Sequence, residues 1–179
     1  MLVIAALCAA PVIASYLAFY VWQPVGRINY GDLLELRPLP ESRLSHLDGR
    51  RFRFADLRGK WLLLTLDSGA CAKACEDRLF MMRQTRLMQG KDAERIERVF
   101  LITDETPLPT MLLREYDGTR MIRAGAIQDA FPASASRGGH IYLADPGGNL
   151  MLRFPQDPDP NRMKKDLERL LRAQGASPG

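Results

Sequence analysis

Two cysteines, Cys71 and Cys75, follow an apolar strand-like run, and this passage restricts the fold more than any other part of the chain. The run, residues 61–66, predicts a buried β-strand, and a loop of small residues leads from it to the thiols. If a helix begins near Cys71, the spacing of the cysteines places both sulfurs on one helical face. The positive end of the helix dipole then lowers the pKa of a thiol there. The pair can therefore form a disulfide, hold a soft metal, or alternate between the two.

The same two cysteines also fit two roles that involve no chemistry. A buried cysteine behaves as a small apolar residue, and a disulfide can simply brace a loop. Sulfurs exposed on a mobile loop would favour a metal or redox role, whereas a buried, well-packed disulfide would favour bracing.

The N-terminal segment, residues 2–22, contains no charged side chain and is long enough to span a bilayer core of ~30 Å as a helix. Aromatic residues gather near its end, as in an interfacial belt: Tyr16, Tyr20 and Trp22. A cleaved signal peptide is the alternative, but it needs a basic stretch before the apolar run, and no Lys or Arg stands there. We predict an uncleaved transmembrane anchor over residues 1–23, in which Cys8 has no chemical role.

The rest of the chain has the length of one domain with a full core. The net charge is +4, but basic residues are interspersed with acids rather than gathered in a stripe. This pattern indicates solvated faces and no nucleic-acid partner. We predict a linker over 24–40, a single domain over 41–174 and a flexible tail over 175–179.

Turn signals and periodicity predict a hairpin around Asp48 and Gly49, and then an alternation of strands and helices. The predicted strands are residues 61–66, 99–103, 140–144 and 150–154, and the predicted helices are residues 74–89, 107–116 and 159–173. On the first helix, we expect the apolar stripe to contain Leu79, Phe80, Leu87 and Met88. A βαβ half followed by a ββα half predicts an α/β fold with a central mixed β-sheet flanked by helices.

Cysteines at the strand-to-helix turn of the βαβ half are the thioredoxin-like arrangement. The more detailed motifs are Pro38-Leu39-Pro40, the hairpin turn, Leu-Arg-Gly-Lys-Trp at 57–61, a CxxxC pair, and Tyr-Leu-Ala-Asp-Pro-Gly-Gly at 142–148. Together they resemble the SCO/SenC family, membrane-anchored thioredoxin-like copper proteins that help to assemble the copper centres of cytochrome c oxidase. The resemblance covers roughly residues 36–171 and identifies the chain as a divergent member.

The resemblance implies that Cys71 and Cys75 are sulfur ligands of copper, and Cu(I) prefers such soft ligands. The same pair could also pass electrons by thiol–disulfide exchange. The implied partners are a cytochrome c oxidase subunit or another copper-site assembly protein. The implied location is a bacterial inner membrane, crossed once, with the domain on the periplasmic side.

The third ligand of the family is a histidine, and Arg137 occupies its position here. His140 is the nearest histidine and our candidate ligand, although three residues along an extended strand are ~10 Å. A bulge or the flexible Gly138-Gly139 pair would have to bring it back. The alternative is a strand histidine with an ordinary hydrogen bond. Met82 shares the helical face of Cys75, and we expect it to pack in the core.

Three function classes remain open from the sequence. The first is a copper metallochaperone, which we favour over an enzyme. The second is a thiol–disulfide oxidoreductase that uses the same dithiol without copper. The third is an anchored scaffold whose disulfide braces a loop. Asp104 follows the second strand of the βαβ half, and we expect it to orient the site.

Overall fold

The computed structural model describes residues 29–40, 43–132 and 139–175, together with residues 11, 15 and 16. Its strands are β1 (Asp32–Pro38), β2 (Leu44–His46), β3 (Arg51–Phe52), β4 (Trp61–Asp67), β5 (Ile96–Ile102), β6 (Thr119–Arg123), β7 (Ile141–Ala144) and β8 (Asn149–Arg153). Its α-helices are α1 (Lys73–Leu87), α2 (Thr110–Glu115) and α3 (Pro160–Gly175), and short 3-10 helices cover Phe54–Leu57, Gly90–Arg95 and Gly125–Ala130.

The strands form one mixed sheet in the order β1-β8-β7-β4-β5-β6-β2-β3. Strands β4, β5 and β6 are parallel, and β7 runs antiparallel beside β4. The predicted hairpin is present, because β2 and β3 pair across the turn at Gly49, where φ is +84°. The predicted central mixed sheet is therefore confirmed.

Two apolar cores lie on opposite faces of this sheet. Leu63 and Phe100 belong to the core that also contains the buried side chains of all three α-helices. Their neighbours Leu64 and Leu101 belong to the second core, which the hairpin and two of the 3-10 helices cover. Central strands buried on both faces favour near-continuous apolar runs, and this explains the mostly apolar composition of β4.

Two strands lie where the sequence predicted none. The segment 24–40, predicted as a linker, contains β1, which pairs antiparallel with β8 at the edge of the sheet. The side chains of Leu33 and Leu36 on β1 are largely exposed, so β1 lacks the apolar alternation of a half-buried strand. The hydrophobic pattern did not predict strand β6, because its short buried segment, Met121 and Ile122, lies between polar residues.

The apolar stripe predicted on α1 was partly wrong. Leu79 is fully buried, but Phe80 and Leu87 remain about half exposed, at 48% and 54%. The buried face of the helix instead includes two polar residues, Arg78 and Thr85. These polar side chains have partners in the interior. The buried face of the helix therefore differs from the face that hydrophobicity alone indicates.

Among the residues that the structure describes, no helix is long and apolar enough to cross a membrane. The predicted anchor over 1–23 lies almost entirely outside the described residues, and so does most of the predicted tail.

Candidate redox and metal site at the end of β4

A disulfide joins Cys71 and Cys75, and their Cα atoms are 5.1 Å apart. Helix α1 begins at Lys73 with Ala72 as its N-cap, so only Cys75 lies within the first turn. Cys71 precedes the helix in a left-handed conformation with φ +39°, which costs a residue other than glycine about 1 kcal/mol. This turn of the backbone, rather than a shared helical face, brings the two sulfurs together.

Both cysteines are buried, at 3% and 1% exposure, and both belong to the core beneath α1. The residues around them, Ala70 and residues 72–74, are exposed. The loop is therefore at the surface while its sulfurs face inward. Another thiol can reach this disulfide only after the loop has moved. Because both cysteines are buried, the oxidised protein has the features expected of a disulfide that braces a loop.

The electrostatic setting of the two cysteines differs. The Cys75 N–H donates to the carbonyl of Ala72 at 2.7 Å, so its thiol lies in the first turn of α1, at the positive end of the helix dipole. Lys73 donates to the carboxylate of Asp77, which raises the pKa of the lysine. The positive charge of Lys73 is therefore paired with the carboxylate of Asp77. The helix terminus remains the feature that would stabilise a Cys75 thiolate after reduction.

A buried ion pair connects the two ends of the cysteine loop. The sequence did not predict it. Arg78 is one turn beyond Cys75 and only 5% exposed, and its Nη2 donates to the carboxylate of Asp67 at the end of β4. Its Nε donates to Thr65 Oγ1 at 3.3 Å. Burial lowers the pKa of Arg78, and the charge of Asp67 partly offsets that shift. The only signal in the sequence is an arginine at helical spacing from a cysteine.

Asp104 holds the loop from its other side, as the sequence analysis expected of an orienting residue. Its Oδ1 accepts the N–H of Gly69 at 2.9 Å and the N–H of Thr106 at 3.1 Å. The Ser68 hydroxyl, then the Gly69 N–H, lower the pKa of Asp104 to about 2. The carboxylate therefore joins the loop after β5 to the loop that carries Cys71.

The low pKa of Asp104 predicts a specific pH dependence of stability. A carboxyl group whose pKa is lowered in the folded state stabilises the fold above its unfolded pKa, 3.8, and this stabilisation disappears as pH falls through about 2. We expect the difference in unfolding free energy between the parent protein and Asp104→Ala to be constant above pH ~5 and to shrink toward pH 2. Chemical denaturation at several pH values measures it. A difference that does not change with pH would contradict the charged contact.

His140 immediately precedes β7 and is half-buried beside the same strand end. Its carbonyl accepts from Thr65 Oγ1 at 3.1 Å, and its Nδ1 lies 2.7 Å from the carbonyl oxygen of Phe154. Because a carbonyl only accepts, Nδ1 carries the proton, and Nε2 of the neutral ring keeps its lone pair. Metal-binding histidines are commonly held in this way. The ordinary hydrogen bond of the alternative role is therefore present, and Nε2 is the ring nitrogen through which His140 would bind a metal.

A cavity of about 500 Å³ separates the start of α1 from the loops around His140. Ala74 and Arg78 line it on the helix side, and Gly139 and Gln156 line it on the other. Ala74 and Gly139 adjoin Cys75 and His140 in the chain, but the side chains of Cys71, Cys75 and His140 do not line the cavity.

Over the described ranges, no group of three His, Cys, Asp or Glu side chains could hold a metal ion. Arg137, which the resemblance to the SCO/SenC family puts at the position of that family's histidine, lies outside the described residues. The ligand set of Cys71, Cys75 and His140 therefore stays a prediction. Met82 is fully buried in the core beneath α1, which confirms its expected packing role.

Removing the disulfide is expected to destabilise the domain. In the chain-entropy model, a bridge that closes so short a loop contributes about 2 kcal/mol by restricting the unfolded chain. We therefore expect the double variant Cys71→Ala, Cys75→Ala to lose about 2 kcal/mol of unfolding free energy. Urea denaturation measures this loss, with Cys8→Ala as a control that should match the parent protein. Equal stability of the double variant and the parent would contradict a constraining bridge.

The comparisons with known proteins agree with this architecture. The family model described as "Transmembrane-like, thioredoxin-like, C-terminal domain" matches residues 61–174. No curated protein matches the sequence significantly. Among solved structures, apo Sco1 from Thermus thermophilus is similar with a TM-score of 0.60 and 19% identity, over 79% of this chain and 96% of that one.

Two copper-bound structures are also similar. Bradyrhizobium japonicum ScoI has a TM-score of 0.52 and 21% identity, over 78% of this chain and 98% of its own. Yeast Sco1 has a TM-score of 0.56 and 16% identity, over 86% and 98%. At these identities the likeness concerns the fold. The predicted thioredoxin-like α/β fold, and the resemblance to SCO proteins at that level, are therefore confirmed.

Proposed function

The chain belongs to the family of transmembrane-like, thioredoxin-like C-terminal domains, and we propose that it assists the assembly of cytochrome c oxidase by binding Cu(I) through a CxxxC dithiol. Copper is the cargo, and Cys71 and Cys75 are its sulfur ligands. The partner is an oxidase subunit or another copper-site assembly protein. The observation that carries this proposal is the pairing of two thiols where β4 turns into α1.

The chemistry of the two sulfurs supports a Cu(I) cargo once the disulfide is open. A donor dithiol reduces the bridge: the S–S bond breaks, two thiols form, and the donor becomes a disulfide. Cu(I) binding then displaces the two thiol protons and leaves two soft thiolate ligands. His140 Nε2 is the candidate third donor, since its Nδ1 is already committed to Phe154.

The proposal includes the predicted anchor and location. Residues 1–23 would hold the protein in a bacterial inner membrane, with the domain on the periplasmic side. An oxidising compartment suits a disulfide, because such bonds persist there and are rare in the cytosol. The uncharged N-terminal segment supports the anchor.

A copper-free thiol–disulfide oxidoreductase is the second candidate, and the closed Cys71–Cys75 bridge favours it. In that role the pair would exchange electrons with the cysteines of an assembly partner. The burial of both sulfurs favours a third role, a bridge that only braces the loop. Copper affinity and reducibility of the bridge separate these three roles.

The deciding experiment is a Cu(I) titration of the reduced full-length protein in mild detergent against a competing chelator. We expect tight one-to-one binding that is abolished in the Cys71→Ala, Cys75→Ala double variant. We expect His140→Ala to bind roughly tenfold more weakly or worse. The matched control is His46→Ala, in the hairpin at the other end of the sheet, and it should bind like the parent protein.

Failure to bind more copper than the double variant would overturn the copper proposal. The native protein would then be equilibrated with dithiol buffers of graded potential, and free thiols would be counted by alkylation. Reversible opening of the Cys71–Cys75 bridge without unfolding would support the oxidoreductase role. A bridge that opens only when the domain unfolds would leave the bracing role.

A further inference from the structure

Arg98 lies in the middle of β5, on the sheet face beneath α1, and is 4% exposed. Ile96 and Phe100, which flank it on the same face, belong to the apolar core. Its Nη2 donates to the carbonyl of Asp117 at 2.8 Å. Its Nε and Nη1 are buried and have no hydrogen-bond partner within the described part of the chain. A guanidinium is always charged, so two of its nitrogens, which carry three of its five N–H donors, are left unused in an apolar setting.

The charges nearest to Arg98 on the helix side are also positive. Arg86 and Arg83 project from α1, and their repulsion adds to the effect of burial in lowering the pKa of Arg98. Each donates to a backbone carbonyl, Arg83 to Glu115 at 3.0 Å and Arg86 to Ile96 at 2.8 Å. Backbone carbonyls satisfy donors but supply no full negative charge.

The acidic groups whose charges act on Arg98, Glu97 and Asp117, have other partners. Glu97 pairs with Arg120 at 3.2 Å, and the carboxylate of Asp117 accepts the N–H of Gly118 at 2.8 Å. Considering residues 29–40, 43–132 and 139–175, no carboxylate lies within ion-pair distance of Arg98. Within these residues the charge of Arg98 belongs to no ion pair, and Glu97 and Asp117 only partly offset the lowering of its pKa.

Thr119 is a second, independent observation at the same place. Its Cα pairs with that of Arg98 in the parallel register of β5 and β6, so the two side chains leave the same face of the sheet. The Thr119 hydroxyl is also buried without a partner among the described residues. Thr119 and Gly118 also line an open cavity of about 480 Å³, whose lining includes Asp48 and Arg50 but not Arg98.

Unpaired buried charges are costly, and each unsatisfied buried donor adds to that cost. A water molecule could accept from one N–H, but it would not neutralise the charge. An anion with several acceptor oxygens does both, and its hydrogen bonds to a guanidinium are of the strong, charge-assisted kind. We propose that Arg98 and Thr119 form a binding site for a phosphate-type oxyanion, with Arg83 and Arg86 adding to the attraction. The site is separate from the cysteine loop and does not depend on the proposed function.

The test is calorimetric titration of the full-length oxidised protein with inorganic phosphate, at an ionic strength held constant with potassium chloride. A second arm uses glycerol 3-phosphate, because a free phosphate and a lipid headgroup share this chemistry. Saturable binding of either ligand supports the site, and the tighter of the two identifies the source.

The variants make the test specific. We expect Arg98→Met to abolish saturable binding and Thr119→Val to weaken it roughly tenfold, as the loss of a hydrogen bond to a charged ligand does. The control Arg172→Met removes the same charge from an 82% exposed side chain on α3 and should bind like the parent protein. Thr119→Val keeps the test valid if Arg98→Met does not fold. No saturable binding, or equal binding by parent and both site variants, would overturn the proposal and leave water as the partner of these donors.

Discussion

Replacement of Asp67 by alanine is expected to lower the free energy of unfolding by about 3 kcal/mol. The variant leaves the guanidinium of Arg78 charged and buried, with Thr65 as its remaining side-chain partner. An uncompensated buried charge is among the most destabilising single changes. We place the loss at the lower end of the range for buried pairs because the side chain of Asp67 is 25% exposed. Urea denaturation of the oxidised protein measures it.

The control for this prediction removes both charges. In the double variant Asp67→Ala, Arg78→Met, no isolated charge remains and a side chain of similar length fills the space. We therefore expect it to recover most of the lost stability, since replacing a whole buried ion pair with apolar groups is often close to neutral. If the double variant is less stable than Asp67→Ala, the two side chains contribute independently and the ion-pair explanation fails.

Gly69→Ala is expected to cost about 3 kcal/mol, the upper end of the range for overpacking. An added Cβ would lie 2.0 Å from the carbonyl oxygen of Thr106, and backbone cannot rotate away as a side chain can. Relief requires the cysteine loop to separate from the loop after β5, which also breaks the bond from Gly69 to Asp104. Denaturation of the oxidised variant measures the loss of stability.

Gly147→Ala is the matched control for this steric argument. Its added Cβ would meet only side-chain atoms of Asn149 and Asp145, at 3.1 and 3.2 Å, and these can move aside. We expect it to cost less than about 1 kcal/mol. Equal losses in the two variants would show that the close approach at Gly69 is not the cause.

The ion pair between Arg78 and Asp67 and the hydrogen bond from Gly69 to Asp104 explain why the cysteine loop is compact although its outer residues are exposed. Arg78 and Asp67 connect the end of β4 to the second turn of α1, and Asp104 attaches Gly69 to the neighbouring loop. Opening the loop to a copper ion or a partner thiol must weaken at least one of them. The stability of these contacts therefore bears on how readily the disulfide can be reached.

The central strands were predictable because they are buried on both faces and so consist mostly of apolar residues. The edge strand β1 and the short strand β6 were not, because their places in the sheet depend on pairing with β8 and β5 rather than on their own composition. The face of α1 was misjudged at Phe80 and Leu87 for a related reason. Arg78 and Thr85 are buried there, and nothing local reveals the groups that satisfy them.

The features of the candidate site also fall into two groups, those set by the local sequence and those set by the tertiary structure. Local sequence determined the strand, the turn, the helix and the four-residue spacing of Cys71 and Cys75, since these depend on periodicity and turn residues within a few positions. Only the tertiary structure decided that the sulfurs face inward and that Asp104 holds Gly69, 35 positions away. The same is true of the orphaned donors of Arg98 beside Thr119. Burial and charge compensation depend on residues far apart in the chain, and a local pattern carries no information about which of them meet.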